Sequence, residues 1–138
     1  QPTPATGGMT NDFSGRTLSL EEAIRGCGVR TVCVHDPYDI AGFIEVVKDC
    51  YDRTADEGVT AVIARHPCIR DRRALKSQAR RAVRVTEKCN GCGYCVREFE
   101  CPALSIEDKR ARIDRTLCIG CGVCVQICPV QAVTGGER

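Results

Sequence analysis

Apolar side chains recur along this chain with two different periods, and each period predicts an element. Ile40, Phe43, Ile44, Val47 and Tyr51 fall three and four apart within residues 39–54, the spacing of one helical face. Lys48 and Arg53 lie towards the C-terminal end of that stretch, where cations suit a helix's partial negative charge. Residues 30–35 are β-branched and bounded by Asp36-Pro37, and read as a strand. Residues 59–64 form a continuous apolar run after Gly58, and read as a strand buried on both faces. Ahead of these, Ser19-Leu20-Glu21-Glu22 is a capping box, with Ser at the N-cap and Glu at N3. It opens a short helix through Arg25 that Gly26 or Gly28 ends. The order helix, strand, helix, strand predicts a parallel α/β layer. Two strands and two helices cannot cover both faces of a sheet, so the layer is expected to need further sequence or a partner subunit.

Beyond residue 64 the pattern changes twice. Residues 1–17 are rich in Thr, Pro and Gly and read as loop, and residues 70–81 within a basic stretch read as a helical linker. From residue 83 the apolar positions become short and sparse. They predict a strand near 83–86, a hairpin across 104–113 turning at Asp108-Lys109-Arg110, and a closing strand at 132–134. The domains expected are therefore residues 1–66, a linker at 67–82, and residues 83–138.

Charge follows the same divisions. Residues 1–64 hold five basic and ten acidic side chains. Residues 65–84 hold Arg65, Arg70, Arg72, Arg73, Lys76, Arg80, Arg81 and Arg84 against Asp71 alone. Residues 85–138 balance at seven and seven. The basic stretch has no interleaved aromatics and no nucleic-acid motif, so it reads as a solvated or inter-subunit face, not a nucleic-acid site.

Cysteine supplies the chemistry. Eight of the twelve fall into two runs: Cys89-x2-Cys92-x2-Cys95-x5-Cys101-Pro102 and Cys118-x2-Cys121-x2-Cys124-x3-Cys128-Pro129. Three thiolates at two-residue intervals plus a remote Cys-Pro is the spacing that holds 4Fe–4S clusters. In two-cluster ferredoxins the last cysteine of each run serves the other run's cluster. That rule gives cluster I Cys89, Cys92, Cys95 and Cys128, and cluster II Cys118, Cys121, Cys124 and Cys101. Gly91, Gly93, Gly120 and Gly122 stand between ligands, where a tight loop needs positive φ or close approach. The first run has two residues more than the common spacing, which lengthens its loop without removing a ligand. The fold class expected is α+β: a partial parallel α/β layer followed by a bacterial-ferredoxin-like two-cluster domain.

Two other uses of cysteine compete. Disulfides need an oxidising compartment, and the N-terminal stretch is polar with no signal peptide, so a reducing, cytoplasmic setting is expected. Structural zinc uses separated cysteine pairs, whereas each run here has three consecutive ligands. No apolar run approaches membrane-spanning length. The chain starts at Gln1 and its only methionine is Met9, which reads as a processed chain or part of a longer one.

Taken together, the two halves resemble the C-terminal part of the α subunit of indolepyruvate ferredoxin oxidoreductase. The residues that carry the resemblance are Gln1-Pro2-Thr3-Pro4, Leu20-Glu21-Glu22-Ala23-Ile24-Arg25-Gly26, Asp36-Pro37-Tyr38-Asp39, Val62-Ile63-Ala64-Arg65-His66-Pro67-Cys68, and the extended first run ending Cys101-Pro102-Ala103. The resemblance implies that residues 1–66 end a thiamine-diphosphate domain and that the two clusters relay electrons to an external ferredoxin. It further implies oxidative decarboxylation of an arylpyruvate, a 2-oxoacid, with CoA, by a complete enzyme containing a β subunit, thiamine diphosphate and Mg2+. The family's Gly-Asp-Gly diphosphate motif is absent here. No thiamine-binding or catalytic residue is therefore assigned, and this chain alone is not expected to be catalytically competent. The alternative is an independent 4Fe–4S carrier or accessory subunit without catalysis.

Four cysteines and two histidines lie outside the runs. Cys27, Cys33, Cys50 and Cys68 match no metal spacing and read as buried free thiols. His35 ends a strand at the carboxyl edge of a parallel sheet, a place where α/β folds put ligand sites, and equally an ordinary loop start. His66 adjoins Cys68 with no acyl-transfer constellation around it.

Overall fold

A computed structural model describes residues 18–67 and 82–135. The expected loop at 1–17, the linker helix at 70–81 and Cys68 lie outside the described residues. The chain divides into two compact units, Gln1–Leu75 and Lys76–Arg138.

In the first unit, helix α1 (Leu20–Gly26) begins where the capping box places it, the Ser19 hydroxyl accepting the Glu22 N–H at 3.1 Å. Strand β1 (Thr31–His35) pairs in parallel with β2 (Thr60–Ala64), in a register that sets Cys33 against Val62 and His35 against Ala64. Helix α2 (Ile40–Glu57) connects them, capped by the Asp39 carboxylate at its start and stopped by Gly58 at φ +78°. Two hydroxyls fix the crossover. Thr31 donates to Glu57 at the end of α2, and Thr60 donates to the carbonyl of Cys50 at 2.9 Å.

One expectation fails here. β2 is not buried on both faces: its first four residues are half-buried and Ala64 is exposed. Val59 precedes the strand and is 72% exposed. A sheet of two strands with α2 packed on it has too little material to enclose a strand completely. Leu18, Val34, Ile44, Val47 and Tyr51 are exposed for the same reason, and Cys50 alone is buried among the unit's described residues.

The second unit is built as two halves that exchange strands. β3 (Val83–Val85) pairs antiparallel with the last strand, β6 (Val133–Gly135). Between them lies the hairpin β4 (Leu104–Glu107) and β5 (Arg110–Ile113), with Glu107 opposite Arg110. Its two loop residues, Asp108 and Lys109, both take positive φ, +49° and +60°. That twist matches the flanking strands of a two-residue hairpin. Two short helices, α3 (Tyr94–Arg97) and α4 (Val123–Ile127), complete it. The core is small: Cys95, Leu104, Ala111, Cys124 and Val133, with no large side chain fully buried among the described residues. No helix among the described residues is long and apolar enough to cross a membrane.

Candidate metal centre

Two loops of the second unit repeat one backbone shape at the 29-residue offset of the cysteine runs. Gly91 and Gly120 take φ of +69° and +72°, and Gly93 and Gly122 both take +77°. Gly93 and Gly122 are the left-handed N-caps of α3 and α4. The following turns match too: Val96 N–H donates to Gly93 O at 3.0 Å, and Val125 N–H to Gly122 O at 3.1 Å. Past each remote cysteine, Leu104 N–H donates to Cys101 O and Gln131 N–H to Cys128 O, both at 3.0 Å. The two extra residues of the first run are taken up after α3. Phe99 N–H turns back to Tyr94 O at 3.2 Å, Phe99 packs against the core, and Glu100 takes φ +51°.

The thiols gather into two sets. Cys89, Cys92, Cys95 and Cys128 line one cavity with Gly91 and Gly93. Burial pushes the Cys95 thiol up; its own backbone hydrogen bond opposes this, and the nearby Cys89, Cys92 and Cys128 add to it. Cys124 is pushed up to about 11, first by burial and then by Cys121, Cys101 and Cys118. Each set therefore holds three thiols of one run and the remote thiol of the other. Burial favours the protonated form of Cys95 and Cys124, and a metal would displace those protons, since only the thiolate is a ligand.

Backbone donors already face this sulfur. Ala111 N–H donates to Cys89 Sγ at 3.4 Å and Ala132 N–H to Cys128 Sγ at 3.2 Å. Such bonds stabilise added negative charge on a cluster and tune its potential. Among the described residues no three His, Cys, Asp or Glu side chains converge closely enough to hold a single metal ion. Soft thiol donors, a glycine-walled cavity and inward amides fit a polynuclear iron–sulfur group.

Loop-anchoring side chains keep the runs in place. Asn90 Oδ1 accepts Cys92 N–H at 3.2 Å. Asp114 Oδ1 accepts Thr116 N–H at 2.7 Å and the Thr116 hydroxyl at 2.6 Å, just ahead of Cys118. The Thr116 bonds hold the Asp114 carboxyl below the usual range. Sequence reading singles out neither anchor, although an Asn between the first two ligands and an Asp shortly before the second run are readable turn signals.

The remaining candidates are all in the first unit. Cys33 and Cys50 hydrogen-bond to each other across β1 and α2, and Cys50 is pushed up to about 11 by burial and then by that bond. Cys27 departs from the expected burial: it caps a helix with no buried residues and is exposed. His35 Nε2 lies 3.0 Å from Asp39 Oδ2. His66 Nδ1 lies 2.9 Å from Asp36 Oδ1, with the Tyr38 ring against it, tilted by 52° at 3.9 Å between ring centres. Burial works against the Asp36 carboxylate, but the Tyr38 N–H and His66 hold it below its usual range. Both histidines thus have a carboxylate partner at the carboxyl edge of the two strands.

Comparison with known proteins locates the same region. Residues 81–130 match the family model for a 4Fe-4S dicluster domain. Over 96% of its length the chain is 39% identical to the indolepyruvate oxidoreductase subunit IorA of Archaeoglobus fulgidus, covering 21% of that protein. The IorA subunits of Thermococcus kodakarensis and Pyrococcus horikoshii match over the same shares at 35% and 38% identity. The chain spans about a fifth of the length of these relatives and matches their C-terminal part. No solved structure matches.

Proposed function

We propose that this chain, similar over 96% of its length to the C-terminal part of the indolepyruvate oxidoreductase subunits named IorA, is the electron relay of such an enzyme. Cys89, Cys92, Cys95 and Cys128 hold one 4Fe–4S cluster, and Cys118, Cys121, Cys124 and Cys101 hold the other. The observation that carries this reading is the sorting of eight thiols into two sets, each borrowing its fourth member from the other run. When bound, such clusters accept and release one electron at a time. The chain's own part is positional. Gly91 and Gly93 let the loop close around the group, and the Ala111 and Ala132 amides supply positive dipoles to its sulfur ligands.

In the complete enzyme the electrons come from oxidative decarboxylation of indolepyruvate or a related arylpyruvate, with CoA as acyl acceptor. They leave for an external ferredoxin, and a β subunit completes the assembly in a reducing, cytoplasmic compartment. Residues 1–66 are the last part of a thiamine-diphosphate domain, residues 67–82 a linker and residues 83–138 the cluster domain. The exposed apolar face of the first unit supports this, because a full α/β domain would cover it. No Gly-Asp-Gly run stands in the chain, so thiamine diphosphate and Mg2+ are anchored elsewhere and no step is assigned to them here. Iron and acid-labile sulfide analysis tests the proposal. About eight of each per chain, with visible absorbance bleached by dithionite, is the expected result. Zinc without sulfide would overturn it.

A further inference from the structure

Strands β3 and β5 pack side by side, and a groove of about 360 Å³ runs between them. Arg84, Arg110, Arg112 and Arg115 line it, against Glu87 as its sole acidic lining residue. Arg110 is committed, pairing with Glu87 at 2.9 Å and donating to Thr86 O at 3.0 Å. Arg112 reaches Glu107 only at 3.7 Å. The side chains of Arg84 and Arg115 have no ion pair or hydrogen bond among the described residues. A module whose overall charge is balanced therefore concentrates four cations in one groove and leaves two of them, Arg84 and Arg115, without an ion-pair partner among the described residues.

The groove shares a wall with the first thiol set. Ala111 lines both the arginine groove and the cavity of Cys89, Cys92, Cys95 and Cys128, and its N–H points at Cys89 Sγ. An anionic group seated among the arginines would stand one residue from that thiol. No aromatic side chain lines the groove, so it offers no platform on which nucleic-acid bases would stack.

We propose that this groove docks an acidic one-electron carrier protein, whose surface carboxylates engage Arg84, Arg112 and Arg115 and bring its redox group up to the Cys89 side of the relay. The inference rests on the reading that these four thiols hold a cluster. One electron passes from the reduced cluster to the oxidised carrier, and no bond forms or breaks. Complementary charge of this kind raises encounter rates and makes them salt-sensitive.

The test uses the complete enzyme carrying Arg84→Glu together with Arg115→Glu, with an acidic ferredoxin as acceptor. The KM for that acceptor should rise about tenfold and its salt dependence should flatten, as expected for charges that steer association. The rate with a small uncharged acceptor and the magnetic-resonance signals of both clusters should stay as in the parent enzyme. If the reversed charges disturb the signals, Arg84→Gln with Arg115→Gln should still flatten the salt dependence. An unchanged KM and salt dependence in an iron-loaded enzyme overturns the docking site alone. Loss of polyuridine RNA binding with the acceptor's KM unchanged overturns it in favour of a nucleic-acid site. A parent enzyme that holds zinc in place of iron defeats the underlying cluster reading instead.

Discussion

At Gly91 two constraints coincide. Its φ of +69° is costly for any side chain, and a Cβ there would collide with the carbonyl oxygen of Lys109 in the hairpin turn. Left-handed strain alone costs about 1–3 kcal/mol, and a backbone atom cannot rotate away. Gly91→Ala is therefore expected to destabilise the second unit by at least about 1 kcal/mol and to lower iron occupancy of the Cys89 set, read by denaturant unfolding and iron analysis. Cys101 allows a sharper check on which thiol serves which cluster. Cys101→Ala should remove the magnetic-resonance signal of the cluster held by Cys118, Cys121 and Cys124 and spare the other. Loss of the Cys89 set's signal instead would refute the cross-pairing. At this scale the sequence showed which residue types stand at which spacing, because ligand runs are local. It could not show the amides of Ala111 and Ala132 aimed at sulfur, since the first of these bonds spans 22 residues and depends on hairpin geometry. The pairing of His66 with Asp36, 30 residues apart, is hidden for the same reason.

Elements with a chemical start signal were the legible ones. Ser19 caps α1 where the capping box predicts, and α2 covers the periodic stretch read at 39–54, running on to Glu57 until Gly58 ends it. The exposure of β2 was not legible, because an apolar run reports a tendency to be covered and not whether a cover is present. α1 is a case where a tertiary contact supports a weak element. It has seven residues, none buried, and is tied down by Glu21 Oε1 accepting from Arg65 Nη1 at 2.7 Å. The Arg65 hydrogen bond, helped by a backbone bond, lowers the Glu21 carboxyl from its ordinary 4.5 to about 2. An acid depressed by folding contributes its stabilisation in full above its unfolded value and loses it as pH falls through its folded value. The tie should accordingly persist at neutral pH and weaken between about 4.5 and 2. Following the Glu21 carboxyl by NMR should give a midpoint near 2, returning towards 4.5 in Arg65→Ala. A midpoint that ignores the substitution would mean that the ion pair does not form in solution.

For the whole molecule, what matters is how little each unit can bury by itself. The second unit's buried side chains are alanine, valine, one leucine and cysteine, a set too small to offset the ordering of its described residues without help. The two thiol sets supply that help in a particular way. Each joins a loop of one half to the remote cysteine of the other, while β3 pairs with β6 across the same division. Filling the sets thus closes long loops, and the binding free energy becomes folding free energy. Without metal, burial favours the neutral thiols of Cys95 and Cys124, which then tie nothing together. The first unit contains neither run and has its own sheet, so it should not respond in the same way. Stripping iron with a chelator under oxidising conditions is therefore expected to collapse the amide NMR dispersion of residues 82–135 and leave that of residues 31–64 largely intact. Restoring iron and sulfide under reducing conditions should bring the dispersion back. If the second unit kept its native spectrum without metal, the small core would be sufficient and the clusters would be passengers in the fold, not its staples.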